Sequence, residues 1–137
     1  MAAIPARLRR LVIQRANNRC EYCGLSQTGQ LATFHIDHVV PIAAGGDTTE
    51  DNLALACVSC SLRKGARQTA TDTVTHQEVP LFNPRTEIWS SHFYWDNVNL
   101  VGRTPTGRAT IFALAMNRPI ALLIRGEEFY WGRHPYP

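Results

Sequence analysis

Four cysteines constrain this chain more than any other feature in it. They are Cys20, Cys23, Cys57 and Cys60, two C-x-x-C pairs with 33 residues between them and no cysteine left over. Two such pairs provide four thiolates, enough to close a tetrahedral zinc site with no open coordination position, which is the signature of a structural ion. Two local disulfides are the competing reading. C-x-x-C disulfides are mostly redox-active rather than structural, and nothing here reads as secreted, so zinc is favoured. A zinc site of this kind staples the chain between its two knuckles.

The length of 137 residues suits one domain with a single modest core, and residues 1–137 are expected to form it. The longest apolar runs are too short to span a bilayer. The opening MAAIPARLRRLVIQ lacks an extended apolar region followed by a cleavage site. A cytoplasmic protein that does not contact membranes is expected. The formal charge of +3 lies wholly in residues 1–70, and the first twenty residues carry Arg7, Arg9, Arg10, Arg15 and Arg19 with no acid. A basic flank suits phosphate-bearing partners, although a solvated helix face is the plainer reading of charge alone.

Patterning predicts the organisation along the chain. Pro5–Arg19 reads as a helix with Pro5 in its first turn and a stripe of Leu8, Leu11, Val12 and Arg15, broken by Asn17-Asn18. Leu31–Val39 is strand-like, Pro41–Asp51 is a loop around Gly45-Gly46, Leu53–Ala56 is a short strand, and Val58–Arg67 is a helix starting inside the second knuckle. Thr69–Val79 is polar and weakly patterned, which predicts a linker. "HFYWDNVNLVG" reads as a hairpin, and "TPTGRATIFALAMN" as a helix with Thr104 as N-cap and Pro105 at its first position. A last helix opens at Pro119 and stops at Gly132. Trp89, Phe93 and Trp95 are read as core rather than as base-stacking platforms.

One stretch stands apart. In "FHIDHVVPIAAGGDTTEDNL", residues 34–53, two imidazoles and a carboxylate interrupt an otherwise apolar strand. With "CVSCSLRKG" at 57–65, this order of strand, loop, strand and helix between two zinc knuckles resembles the HNH endonuclease family. Asp37-His38, Gly45-Gly46 and Asn52-Leu53 carry the resemblance, which covers about residues 20–67. Residues 80–137 resemble the C-terminal extension of small free-standing bacterial HNH proteins in "LFNPR", "NRP" and "HPYP". The resemblance implies an α+β fold: a ββα-metal core stapled by a four-cysteine zinc site, with an N-terminal helix and a C-terminal hairpin plus helices.

The resemblance also implies a metal-dependent cut in DNA, double-stranded or nicked, by a monomer or a homodimer. His38 is then the general base for water, because a neutral imidazole accepts a proton near physiological pH. Asp37 is a ligand for one catalytic Mg²⁺ or Mn²⁺, since hard ions prefer oxygen. Asn52 holds the loop that aims His38. Family members usually carry Asn or His at position 61 as a helix-borne ligand, whereas this chain has Ser61, whose hydroxyl or a held water takes that place. His35 and His92 are assigned supporting roles behind the site, and Arg63, Lys64 and Arg67 contacts to the DNA backbone. In a regular strand Asp37 and His38 point to opposite faces, so both line one site only if the strand ends or twists at His38. The alternative is a zinc-stabilised nucleic-acid-binding module without catalysis or with a weakened site. A redox role for the C-x-x-C pairs leaves the Asp37-His38-Asn52 set unexplained.

Overall fold

A computed structural model of the protein describes residues 3–136, so Pro137 of the "HPYP" stretch lies outside the described residues. Helix α1 (Ala6–Arg15) starts after Pro5 and buries Val12 completely. It ends four residues before the expected Arg19. Asn17 and Asn18 both take left-handed φ, 52° and 58°, a conformation that asparagine tolerates better than most residues and that no helix continues through. The chain then doubles back through an Arg19–Ser26 bridge, with Gly24 at φ +78° inside the first knuckle.

Strand β1 (His35–His38) pairs antiparallel with β2 (Leu53–Ala56), setting His35 opposite Ala56 and Asp37 opposite Ala54. Every residue of β2 is buried. The strand predicted from residue 31 begins four positions later because a side chain takes the ladder's place. Gln27 accepts from the Phe34 backbone N–H at 2.7 Å and donates to the Ala32 carbonyl at 3.0 Å, and Leu31 stays fully exposed. Helix α2 (Val58–Lys64) opens on Cys57, whose sulfur accepts from the Cys60 N–H, and packs on both strands. Ala54 and Ala56 share the sheet face of Asp37 and His35, and their small side chains leave room for α2 to approach that face.

The predicted linker at 69–79 is a hairpin instead. Strand β3 (Thr69–Thr71) pairs with β4 (Glu78–Pro80), and fully buried Asp72 organises the turn between them. Its carboxylate accepts from the Val74 and Thr75 backbone and from the Thr75 hydroxyl, and takes a two-pronged bond from Arg108 at 2.8 and 2.9 Å. One carboxylate, rather than an apolar pattern, structures this polar segment, which is why periodicity does not reveal it.

The C-terminal part closes over the first knuckle. A short helix α3 (Trp89–His92) leads into the hairpin β5 (Phe93–Asp96) and β6 (Asn99–Gly102), followed by α4 (Pro105–Ala113) and α5 (Pro119–Tyr130). Thr104 caps α4 by accepting from the Gly107 N–H at 3.0 Å. Asn117, expected to end that helix, lies beyond it and bonds the Leu100 backbone in both directions, closing the free edge of β6. Trp89 donates to the Tyr22 carbonyl at 2.9 Å, and Arg85 pairs with Glu21. Phe93 is buried, and Trp89 and Trp95 pack on the same cluster, which runs from Val12 to Met116. Among the described residues no helix is long and apolar enough to cross a membrane.

Candidate active site

The four cysteines converge. All are buried and unbridged, and their sulfurs lie within 4.8 Å of one another. A tetrahedral ion with Zn–S bonds of about 2.3 Å requires sulfurs about 3.8 Å apart. The Cys23 and Cys57 sulfurs are 3.7 Å apart, far beyond a disulfide bond and close to that edge length. Hydrogen bonds from the other three sulfurs push the Cys57 thiol down, while burial pushes the Cys20 thiol up. The set fits zinc in number, chemistry and spacing.

Beside this cluster lies a groove of about 710 Å³ lined by His35, Asp37, His38, Ser61, Gly65 and, from α1, Arg9. Strand β1 ends at His38, so neighbours in sequence reach one groove although a regular pleat separates them. His35 and Asp37, two apart on β1, meet Ser61 and Lys64, three apart on α2. The His35 Nδ1 lies 2.9 Å from Ser61 Oγ, and the Lys64 Nζ lies 3.1 Å from Asp37 Oδ2. A strand period of two thus faces a helix period of three to four.

Asp37 is the most constrained member. Its Oδ2 accepts from the buried Tyr22 hydroxyl at 2.9 Å as well as from Lys64. No described residue bonds its Oδ1. Burial raises the Asp37 carboxyl above its ordinary range, and the Lys64 ammonium and Tyr22 hydroxyl act against that rise. Burial, reinforced by Asp37, pushes the Tyr22 hydroxyl well above its own ordinary value, so it stays a donor. Lys64, expected to reach a DNA phosphate, is itself only 2% exposed. Its Nζ also donates to the His38 carbonyl at 3.0 Å, so it ties the strand end to the helix rather than facing solvent.

The His38 Nε2 lies 2.9 Å from Thr48 Oγ1, and no described residue bonds its Nδ1. Thr48 belongs to the loop that Asn52 closes. The Asn52 amide accepts from the Val40 N–H at 2.9 Å, donates to the Val40 carbonyl at 3.0 Å, and donates to the Asp47 carbonyl at 2.9 Å. Gly46 sits inside this clasp, where a Cβ would come within 1.8 Å of the Val40 carbonyl oxygen. Arg63 and Arg67 are exposed, with the Arg63 Nε on Ser59 Oγ. His92 is not part of this groove. Its ring lies between Glu87 and Thr104, against Phe82 and Phe93.

Residues 20–67 match the family described as HNH endonuclease. They form an HNH endonuclease domain. Nuclease chemistry on DNA is what this family supports in general. Over 85 residues the chain is 34% identical to a CRISPR-associated endonuclease Cas9 of Corynebacterium diphtheriae, covering 56% of this chain and 7% of that protein. Over 109 residues it is 23% identical to a Septu protein PtuB of Bacillus thuringiensis, covering 78% of this chain and 40% of that one. The chain therefore spans well under half the length of these relatives. No solved structure matches it. Sequence reasoning alone misses three participants around the HNH groove. Tyr22 is one of the two residues inside the first C-x-x-C, Thr48 lies in a polar loop, and Arg9 was one of five arginines of equal standing; each is brought in by tertiary contact without a signal of its own.

Proposed function

We propose that this protein is a metal-dependent endonuclease that hydrolyses DNA phosphodiester bonds at the groove between β1 and α2. The observation that carries this reading is His38 at the strand end beside Asp37, with one ring nitrogen tied to Thr48 and the other open. With Nε2–H donating to Thr48, the Nδ1 lone pair faces the groove and takes the proton of the attacking water. Lys64 and Asn52 hold the backbone on either side of that imidazole, at the His38 carbonyl and at Val40. Asp37 would hold a divalent ion through Oδ1, Oδ2 being occupied by Tyr22 and Lys64. Such an ion, Mg²⁺ or Mn²⁺, supplies charge relief at the scissile phosphate and at the leaving 3′ oxygen. Arg9 across the groove, with exposed Arg63 and Arg67, neutralises flanking phosphates. Zinc on the four cysteines is structural in this scheme. One such groove cuts one strand, so a duplex break requires sequential nicks or a second copy.

The test is nicking of supercoiled plasmid in Mg²⁺ or Mn²⁺ by wild type and by His38→Ala. Removing a positioned general base typically costs a factor of about 10² to 10⁴. Cleavage by His38→Ala at the wild-type rate overturns the assignment, and an inert wild type that still binds DNA supports the binding-module alternative.

A further inference from the structure

Two residues on one face of β1 each carry a donor atom with no partner among the described residues. The Oδ1 of Asp37 is one. The other is Nε2 of His35, whose Nδ1 is 2.9 Å from Ser61 Oγ. The two residues are separated by one position on β1, share its face, and line the same groove. Their Cα atoms are about 7 Å apart at the rise of a strand, a span that a carboxylate and an imidazole can close onto one ion. His38 also has an open ring nitrogen, Nδ1, but it lies one position on from Asp37 rather than two, and that nitrogen is taken above as the base for water.

We propose that His35 is a direct nitrogen ligand of the divalent ion and that Ser61 is the residue that orients it. This rests on the endonuclease reading above and names the ion's protein donors. A metal-bound histidine donates its second ring N–H to a neighbouring acceptor, which fixes tautomer and ring orientation. Ser61 Oγ supplies that acceptor, Nδ1–H donates to it, and the lone pair is left on Nε2. The serine hydroxyl is thereby used on the imidazole and the ligand comes from the strand. Asp37 is organised the same way, with one oxygen fixed by Tyr22 and Lys64 and the other open. Each donor is held from behind through its second atom, which is how a preorganised ligand pair is built.

The consequence is a shift in metal preference. A site of one carboxylate and one imidazole favours borderline transition ions over Mg²⁺, with affinity rising from Mn²⁺ through Co²⁺ to Ni²⁺. A site of oxygen donors alone discriminates far less.

Pulsed electron paramagnetic resonance of the zinc-replete full chain with Mn²⁺ reads this without reference to activity. Wild type is expected to show hyperfine coupling from one directly bound histidine nitrogen. His35→Gln is expected to lose that coupling and at least about tenfold in Mn²⁺ affinity, while keeping its zinc and its circular dichroism. The coupling is expected to persist in His38→Ala and to weaken or broaden in Ser61→Ala. Bound Mn²⁺ with no nitrogen coupling in a wild type that cleaves DNA overturns the ligand assignment and leaves the endonuclease reading standing. Coupling that survives His35→Gln and vanishes in His38→Ala overturns it equally. No Mn²⁺ binding together with no cleavage sinks both.

Discussion

Lys64 offers the sharpest test of how the site is held. Its side chain is 3% exposed and that of Asp37 is 9%, and the two are 3.1 Å apart. Lys64→Met keeps most of the volume and removes the charge, leaving a buried carboxylate with Tyr22 as its remaining partner. Breaking one side of a buried ion pair costs about 3–5 kcal/mol. Against a total stability of about 5–15 kcal/mol, that is a large fraction. With a urea m-value of about 2 kcal/mol/M, the unfolding midpoint should fall by about 1.5–2.5 M. Equilibrium urea unfolding followed by tryptophan fluorescence, with zinc present throughout, measures it.

The same variant carries a pH signature whose sign is fixed. The Asp37 carboxyl is already raised by burial, and Lys64 is the strongest influence opposing that rise. Removing Lys64 raises it further. Across the pH range between the unfolded and folded values, the folded state then binds more protons than the unfolded chain, so stability falls as pH rises through that range. The cost of Lys64→Met relative to wild type should therefore shrink in acid and reach its full size at neutral pH and above. Adding Asp37→Asn should recover much of the loss, since the uncompensated charge is gone. A midpoint shift under about 0.5 M, or one of equal size at pH 4 and pH 8, would refute the claim that a desolvated charge pair sits here.

Other outcomes follow from the same contacts. Cys57→Ser, or stripping by a strong chelator, should abolish cooperative unfolding, because structural zinc contributes about 10–16 kcal/mol in isolated zinc modules; zinc content by mass spectrometry should be one per chain in wild type. Gly46→Ala should force the Val40–Asn52 clasp open, lowering the melting temperature and slowing cleavage together. Arg9→Ala should weaken DNA binding and reduce the slope of log affinity against log salt by about 1 without sequence dependence, as measured by salt-titrated anisotropy. Arg108 holds the Asp72 carboxyl well below the usual carboxylate range, so the pair's contribution is present above the ordinary carboxylate value and is lost as pH falls towards the depressed one; Arg108→Ala should be less costly in acid than at pH 7 by thermal unfolding.

How far the fold is legible in the sequence depends on which interaction sets each element. Leu53–Ala56, α4 with its Thr104 cap and α5 after Pro119 follow local rules, and their starts are where patterning puts them. Three of the departures share a cause. Gln27 takes the backbone bonds of residues 32 and 34, Asp72 organises a hairpin in a polar tract, and Asn117 secures β6 rather than ending a helix. In each, a polar side chain bonds a backbone or a charge whose position only the folded chain defines, and hydrophobic periodicity carries no trace of it.

The groove divides along the same line. The residue types that could do chemistry at residues 35–38, 52 and 57–61 can be read from spacing, because a strand and a helix impose their periods on whatever they carry. Which atom of each residue is free cannot, and that decides the chemistry. Lys64 reads as a surface charge on a helix, yet three-residue spacing from Ser61 delivers it to Asp37, since α2 lies on the strand face that the two alanines of β2 keep low. Once Lys64 and Tyr22 occupy Oδ2 and Ser61 occupies Nδ1, Oδ1 of Asp37 and Nε2 of His35 are the atoms left for the proposed ion. An Ala54→Leu change tests that dependence without touching a single polar group. It would lift α2 from the sheet, lengthen the Lys64–Asp37 and Ser61–His35 contacts together, and so lower Mn²⁺ affinity and stability in one step. Overpacking of this kind costs about 1–3 kcal/mol. If stability fell by that amount while Mn²⁺ affinity held, the donor pair would owe its geometry to β1 alone and not to the helix behind it.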